Sequence, residues 1–248
     1  MPKLVPINRE KHGNKFWQRP KTYEFVKKSA LVPLVSKDLS KAVMEMPIGF
    51  VKRDDKFMLT ALLGYEPDNN LFVDQDGKWL GKYIPSAFKW YPFQLAQDRS
   101  NQLVFCVDEE SGLITDDPND KPFLDDMGQM SEDLHHVVSF FKNVERSRLL
   151  TIKACAALDK HELFQPWPLK ISVQSGLHKI EDLFRVDEEK FNNLSSEVAG
   201  ELHRAGALPV AYCHFLSQQH LPSLCNLDQK QQQKEVDWEF SFDDRLDF

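Results

Sequence analysis

Between Ser131 and Lys160, the residues Leu134, Val137, Val138, Phe141, Val144, Ile152, Cys155 and Leu158 recur at helical spacing. Apolar residues three or four apart share one face of an α-helix, so this stretch predicts one long amphipathic helix. Ser131 stands where an N-cap is needed. Glu132 and Asp133 occupy the first turn, where the helix dipole favours carboxylates. A helix with one apolar face must cover something, and the strand-rich first part of the chain is the obvious surface. The predicted class is α+β: mainly antiparallel sheet packed against a long amphipathic helix, with shorter C-terminal helices. The same coupling argues for a single domain over residues 1–227, strand-rich to 112, with an acidic loop over 113–130 and a helix-rich part over 131–227. Residues 228–248 read as a polar linker and an acidic, aromatic tail.

Turn chemistry divides the rest. Residues 23–35 are rich in β-branched and aromatic types and read as strand, while 38–46 suit a short helix that stops before Pro47. Residues 48–51 and 57–63 flank the charged step 52–56, which is a hairpin signal, and 93–96 and 103–107 form a second pair around a polar turn. The intervening segment, 69–93, predicts a short strand at 71–73, a turn at 74–77 and a short helix from Ile84 to a stop at Pro92. Further on, 169–173 and 180–186 bracket a Ser-Gly turn as a third hairpin. Asp187 and Ser195 stand as N-caps of helices over 188–192 and 196–204, with Gly206 as a stop. Residues 207–216 are apolar enough to be buried, but their period does not separate helix from strand.

Composition narrows the partners. Hydrophobic residues make up 42% and charged residues 28%, near the globular average, so wholesale disorder is excluded. The net charge of −7 repels a phosphate backbone, so no nucleic-acid partner is expected. No stretch approaches the ~18 apolar residues of a membrane span. The N-terminus lacks the apolar core of a secretory signal, which predicts a cytoplasmic protein with no membrane insertion. Cys106 and Cys155 lie in apolar runs and read as small buried hydrophobes. No Cys-x-x-Cys pair occurs; the usage fits a reducing compartment, while four cysteines also allow disulfides.

Several clusters bear on chemistry. Asp74-Gln75-Asp76-Gly77 opens like a calcium loop, but the fifth, sixth and twelfth positions hold Lys78, Trp79 and Pro85 instead of an oxygen ligand, Gly and Glu. A β-turn is the reading, and no metal is expected. Asp108, Glu109 and Ser111 follow directly on a strand, where paired carboxylates can divide acid and base work; a solvated rim is the plain alternative. Trp79, Tyr83, Trp90 and Tyr91 either wall a pocket or pack a sheet–helix junction. These seven residues are the ligand-binding candidates. Cys213 and His214 are neighbours whose side chains diverge on strand or helix, so they do not form a nucleophile–base pair with each other. The remaining histidines show no metal-ligand spacing. There is no phosphate-cradling glycine loop, Gly-x-Ser-x-Gly elbow or kinase motif set, and no cofactor is expected. Trp238, Phe240 and Phe242 alternate in the tail; they are partner-binding candidates, adding a strand to a partner's sheet or pairing with this chain's own.

The order of segments carries a resemblance. LVPIN, LVPLV with AVMEMPIGFV, ALLGYEPDNNLFVDQDGKWLGKYIPSAFKWYPF, CVDEESGLI, ACAAL, PWPLKI, LFRVDEEKFNNLS and AGALPVAYCHFLS follow one another through nearly the whole chain. In this it resembles the SapC family of bacterial proteins, named for a locus tied to a surface layer. The resemblance implies no catalytic mechanism. It implies company with TonB-dependent receptors and with halogenase-like or hydroxylase systems. The expected function is a non-catalytic accessory protein that binds a peptide or protein in surface-associated modification, uptake or export. An unrecognised peptide-modifying or group-transfer enzyme and a surface-layer structural component are the alternatives.

Overall fold

The computed structural model describes residues 3–98, 100, 102–173, 176–229 and 231. The chain opens with β1 (Leu4–Pro6), α1 (Arg9–His12) and β2 (Phe16–Trp17), then β3 (Leu31–Pro33) and α2 (Leu39–Ala42). A hairpin follows, β4 (Ile48–Arg53) and β5 (Lys56–Leu62), and later a second, β6 (Phe93–Gln97) and β7 (Leu103–Asp108). Two short strands, β8 (Ile114–Thr115) and β9 (Lys121–Pro122), precede the long helix α3 (Glu132–Lys160). Then come β10 (Phe164–Pro166), β11 (Leu169–Val173), β12 (Gly176–Ile180) and β13 (Leu183–Val186). The helices α4 (Glu188–Asn192), α5 (Ser196–Ala205) and α6 (Ala207–Ser217) follow, and 221–229 are again helical. The strand pairings are antiparallel. The fold is α+β.

Contacts divide the chain into two compact units, each built from two separate stretches of the sequence. The first takes the described residues up to Lys21 with Phe88–Arg146; the second takes Thr22–Ala87 with the described residues from Ser147 on. The first unit holds two three-stranded sheets, β1-β7-β6 and β8-β2-β9. Its core joins Trp17, Phe93, Val107 and Phe123 to Leu134 and Val137 of α3. Trp17 meets Phe93 edge-on at 4.8 Å, the arrangement that the ring quadrupoles favour.

The second unit is built on the five-stranded sheet β10-β13-β4-β5-β3, with β11 and β12 as a separate ribbon. Ile48, Phe50, Leu59, Ala61 and Leu62 of this sheet are buried. One buried polar cluster fastens α6 to β4. The Nδ1 of His214 lies 2.7 Å from the Ile48 carbonyl, and its Nε2 accepts from the Val186 N–H at 3.3 Å. Ser217 Oγ accepts from the Ile48 N–H at 2.9 Å and donates to the His214 carbonyl at 2.7 Å.

The expected long helix forms over nearly the expected span. Ser131 Oγ accepts from the Leu134 N–H, as an N-cap should. Its buried face departs from the apolar pattern at one place. Ile152 is 40% exposed, and Thr151, one residue and about 100° away, is buried in its stead. The Thr151 hydroxyl accepts from the Ser36 N–H and donates to the Ser147 carbonyl, both at 2.7 Å, so a polar side chain is fully bonded at a core position. Cys106 and Cys155 are buried as expected, and all four cysteines are free. The two early hairpins, the Asp187 and Ser195 caps and the left-handed Gly206 stop also form.

Other readings are corrected. Residues 23–35 make a 3-10 turn, Glu24–Val26, and only the short β3. The helix expected over 38–46 shrinks to α2, preceded by the 3-10 turn Ser36–Asp38. The strand expected at 71–73 is a single bridge, Val73 to Trp79. Residues 86–92 form turns, not a helix, because Ser86 and Tyr83 are drawn to Asp38. The third hairpin is β11–β12. Asp182, at φ +62°, turns the chain so that β13 leaves that ribbon and joins the five-stranded sheet.

Candidate functional site

In the second unit, residues 69–86 are held by buried polar anchors. Asp74 Oδ1 accepts from the Asp76 and Lys78 N–H groups at 3.1 and 2.8 Å, closing the expected turn. Gly77 takes φ +73°, the left-handed region that glycine enters without a Cβ penalty. The Trp79 indole donates to the Tyr83 carbonyl at 3.0 Å, and its ring packs against Phe72 and Tyr23. The Tyr83 hydroxyl and the Ser86 hydroxyl donate to one oxygen of Asp38, while the Val35 N–H donates to the other. Asp38 is 1% exposed, so these donors replace its water. Burial, and then the Asp38 carboxylate, push the Tyr83 phenol well above the usual tyrosine range. Trp79 and Tyr83 are themselves buried.

In the first unit, Trp90 lies half-buried under the Arg19 guanidinium, 4.0 Å from its ring. Tyr91 donates to Asp108 Oδ2 at 3.0 Å; burial, and then Asp108, push its phenol up to about 12. Asp108 is buried and also accepts from the Lys3 and Glu110 N–H groups at 2.9 and 3.2 Å. Glu109 pairs with Lys3 at 3.1 Å and Lys11 at 3.6 Å. The Lys3 hydrogen bond is the main cause that holds its carboxyl below the usual range. Ser111 donates its N–H to the Asp108 carbonyl and accepts from the Leu113 N–H, each at 3.2 Å. Glu109 and Glu110 border a cavity of about 340 Å³ with Lys3, Lys11, His12 and Lys15.

The structure thus brings Tyr91, Asp108 and Ser111 together at the end of β7, and Trp79 together with Tyr83 in the 69–86 segment. The two groups belong to different units. The oxygens of Asp108 are already met by donors from the chain itself. The tail residues Trp238, Phe240 and Phe242 lie outside the described residues. Among the described residues, no group of three His, Cys, Asp or Glu side chains is placed to hold a metal ion. No helix among them is long and apolar enough to cross a membrane.

A larger recess lies in the second unit, at residues the sequence did not single out as a site. A groove of about 470 Å³ runs between α3, α2 and the α5–α6 corner. Its apolar lining comes from Leu39, Leu150, Ala154, Pro209 and Val210. Lys153 of α3 and His203 and Arg204 of α5 line it as well, and all three are exposed. Among the described residues, no carboxylate lines it. In a chain of net charge −7, the charged side chains that line this recess, Lys153 and Arg204, are basic. His203 and Arg204 fall in the last turn of α5, where the helix dipole favours cations. Gly206, at φ +71°, turns the chain from α5 into α6 and so forms the corner. Cys213 lines the groove while His214 enters the core, the divergence expected of neighbours on a helix. The signal that would have found the groove was the Gly206 stop followed at once by a second helix, whose state the period of 207–216 left open.

Comparison with curated proteins and with solved structures gives no match. One family profile does match: SapC, over residues 7–224. That span takes in both units and nearly every element described above, and the chain belongs to the SapC family.

Proposed function

We propose that this chain is a non-catalytic accessory protein. It binds a peptide or protein partner in a bacterial surface-associated modification, uptake or export system, and its binding site is the groove between α3 and the α5–α6 corner. The observation that carries this reading is the make-up of the groove: an apolar lining with Lys153 and Arg204 as its charged groups and the His203 imidazole beside them. Its volume lies in the range of sites that enclose a ligand group, and its chemistry suits an apolar side chain next to a carboxylate. The hydrogen bonding at Asp108 also favours binding over catalysis, because a carboxylate that accepts three internal donors is occupied in holding its turn.

The test is affinity capture from the source cells with the intact chain and with K153E/R204E, read by quantitative mass spectrometry. Both substitutions fall at exposed helix positions, so the fold is expected to survive. The reading expects a specific partner on the wild type that is depleted at least tenfold on the variant. The same partners in the same amounts on both proteins would remove the groove from the function.

A further inference from the structure

The groove needs an occupant that is apolar and anionic, and the chain carries such a segment itself. Residues 236–248 contain Trp238, Phe240, Phe242, Leu246 and Phe248, interleaved with Asp237, Glu239, Asp243, Asp244 and Asp247. A single Arg245 offsets those five carboxylates. The groove presents the opposite charge, and its apolar lining matches the aromatic positions. The connection permits the contact. The last described residue, Gln231, is anchored in the second unit, its side-chain amide donating to the Leu71 and Val73 carbonyls at 2.9 and 3.2 Å. The residues after it reach about 55 Å when extended. A folded unit of this size has a radius of gyration of about 15 Å, so the later aromatic positions, Phe242 and Phe248, which lie about 36 and 56 Å along the extended chain from Gln231, can span it.

We propose that the tail, residues 236–248, docks in cis into the α3/α5–α6 groove of its own chain and competes there with the partner. This rests on the reading of the groove as a peptide site. A short tether presents its segment at about 1 mM. A groove with an intrinsic Kd of about 100 µM would then be about nine-tenths filled by its own tail, and a free peptide would bind about tenfold more weakly than to an emptied groove. The tail thereby sets a threshold: a partner must out-compete it to enter.

The probe is a fluorescein-labelled peptide with the sequence of residues 236–248, followed by anisotropy with the full-length protein. The expected result is about tenfold tighter binding to W238S/F240S/F242S than to the wild type, and loss of that binding when K153E/R204E is added. Equal affinity for the wild type and the tail variant, still abolished by K153E/R204E, would overturn cis docking while leaving the groove as a peptide site. No binding to either, or binding indifferent to K153E/R204E, would overturn both. A second measurement does not need the tail aromatics removed. In Ser241→Cys, mild oxidation of the dilute protein is expected to join the new sulfur to Cys213, which lines the groove, within one chain. A bond to Cys225 instead, or a Cys213 bond found only in covalent dimers, would refute the cis arrangement.

Discussion

His214 makes the stability of the second unit depend on pH. Its ring is fully buried, and burial is the main cause that lowers its pKa from 6.5 to about 4. The Ile48 carbonyl pulls the other way, and the charge of Arg185 adds to the lowering. A base whose folded pKa is depressed contributes its full stability above the unfolded value, near pH 6.5. As the pH falls below that, the unfolded chain takes up a proton that the folded chain refuses, and stability drops until both are protonated near pH 4. At about 1.4 kcal/mol per pH unit, the whole window is worth about 3 kcal/mol, of which about 2 kcal/mol falls between pH 7 and pH 5. Other groups titrate over the same range, so the assay is a double difference. Urea unfolding is measured at pH 7 and pH 5 for the wild type and for His214→Asn, whose amide can still donate to Ile48 but does not titrate. The wild type is expected to lose about 2 kcal/mol more than the variant. The variant itself is expected to be less stable by about 1–3 kcal/mol at pH 7, because the Val186 N–H loses its acceptor. An equal acid loss in both proteins, or an NMR titration placing the wild-type ring near 6.5, would refute the argument.

Two further substitutions probe the buried polar anchors. Thr151→Val leaves the Ser36 N–H without its acceptor and is expected to cost about 1–3 kcal/mol in urea unfolding, while Thr151→Ser, which keeps the hydroxyl, costs about 1 kcal/mol. Gly77→Ala forces a Cβ into left-handed backbone and to 2.8 Å from the Thr22 Cβ. The expected loss is about 2 kcal/mol, and a second substitution, Thr22→Gly, which removes the Cβ it meets, is expected to leave the backbone part of it, about 1 kcal/mol, in place.

Much of the local architecture was legible in the residues alone. The spacing of Leu134, Val137, Cys155 and Leu158, with Ser131 as cap, specified α3, because period and capping are properties of neighbouring residues. The charged step at 52–56 specified the β4–β5 hairpin for the same reason, as did Asp187, Ser195 and Gly206 for the helices they bound. Local rules fell short wherever a distant partner decided. Ser86 lies 48 residues from the carboxylate that holds it, so a helix predicted from its neighbours became a run of turns. Thr151 took the core position in place of Ile152 because Ser36, 115 residues away, supplies its donor. The state of 207–216 was settled by His214 and Ser217 bonding to Ile48 across more than 160 residues.

The candidate site divides along the same line. Asp108, Glu109 and Ser111 lie together at the end of β7, a placement legible in the sequence because they are near neighbours in the chain. Their bonds to Lys3, Lys11 and Tyr91 were not visible, since hydrogen-bond partners so far apart leave no pattern. The groove lay furthest from local inference. Leu39, Lys153, Arg204 and Pro209 are individually unremarkable surface or helix residues, and only the packing of three helical segments places them around one recess. The amino-acid order determined the α+β class, the long helix, most turns and the family. Tertiary structure decided which polar side chains are buried and where a cationic hollow opens, because both depend on contacts that local spacing does not encode.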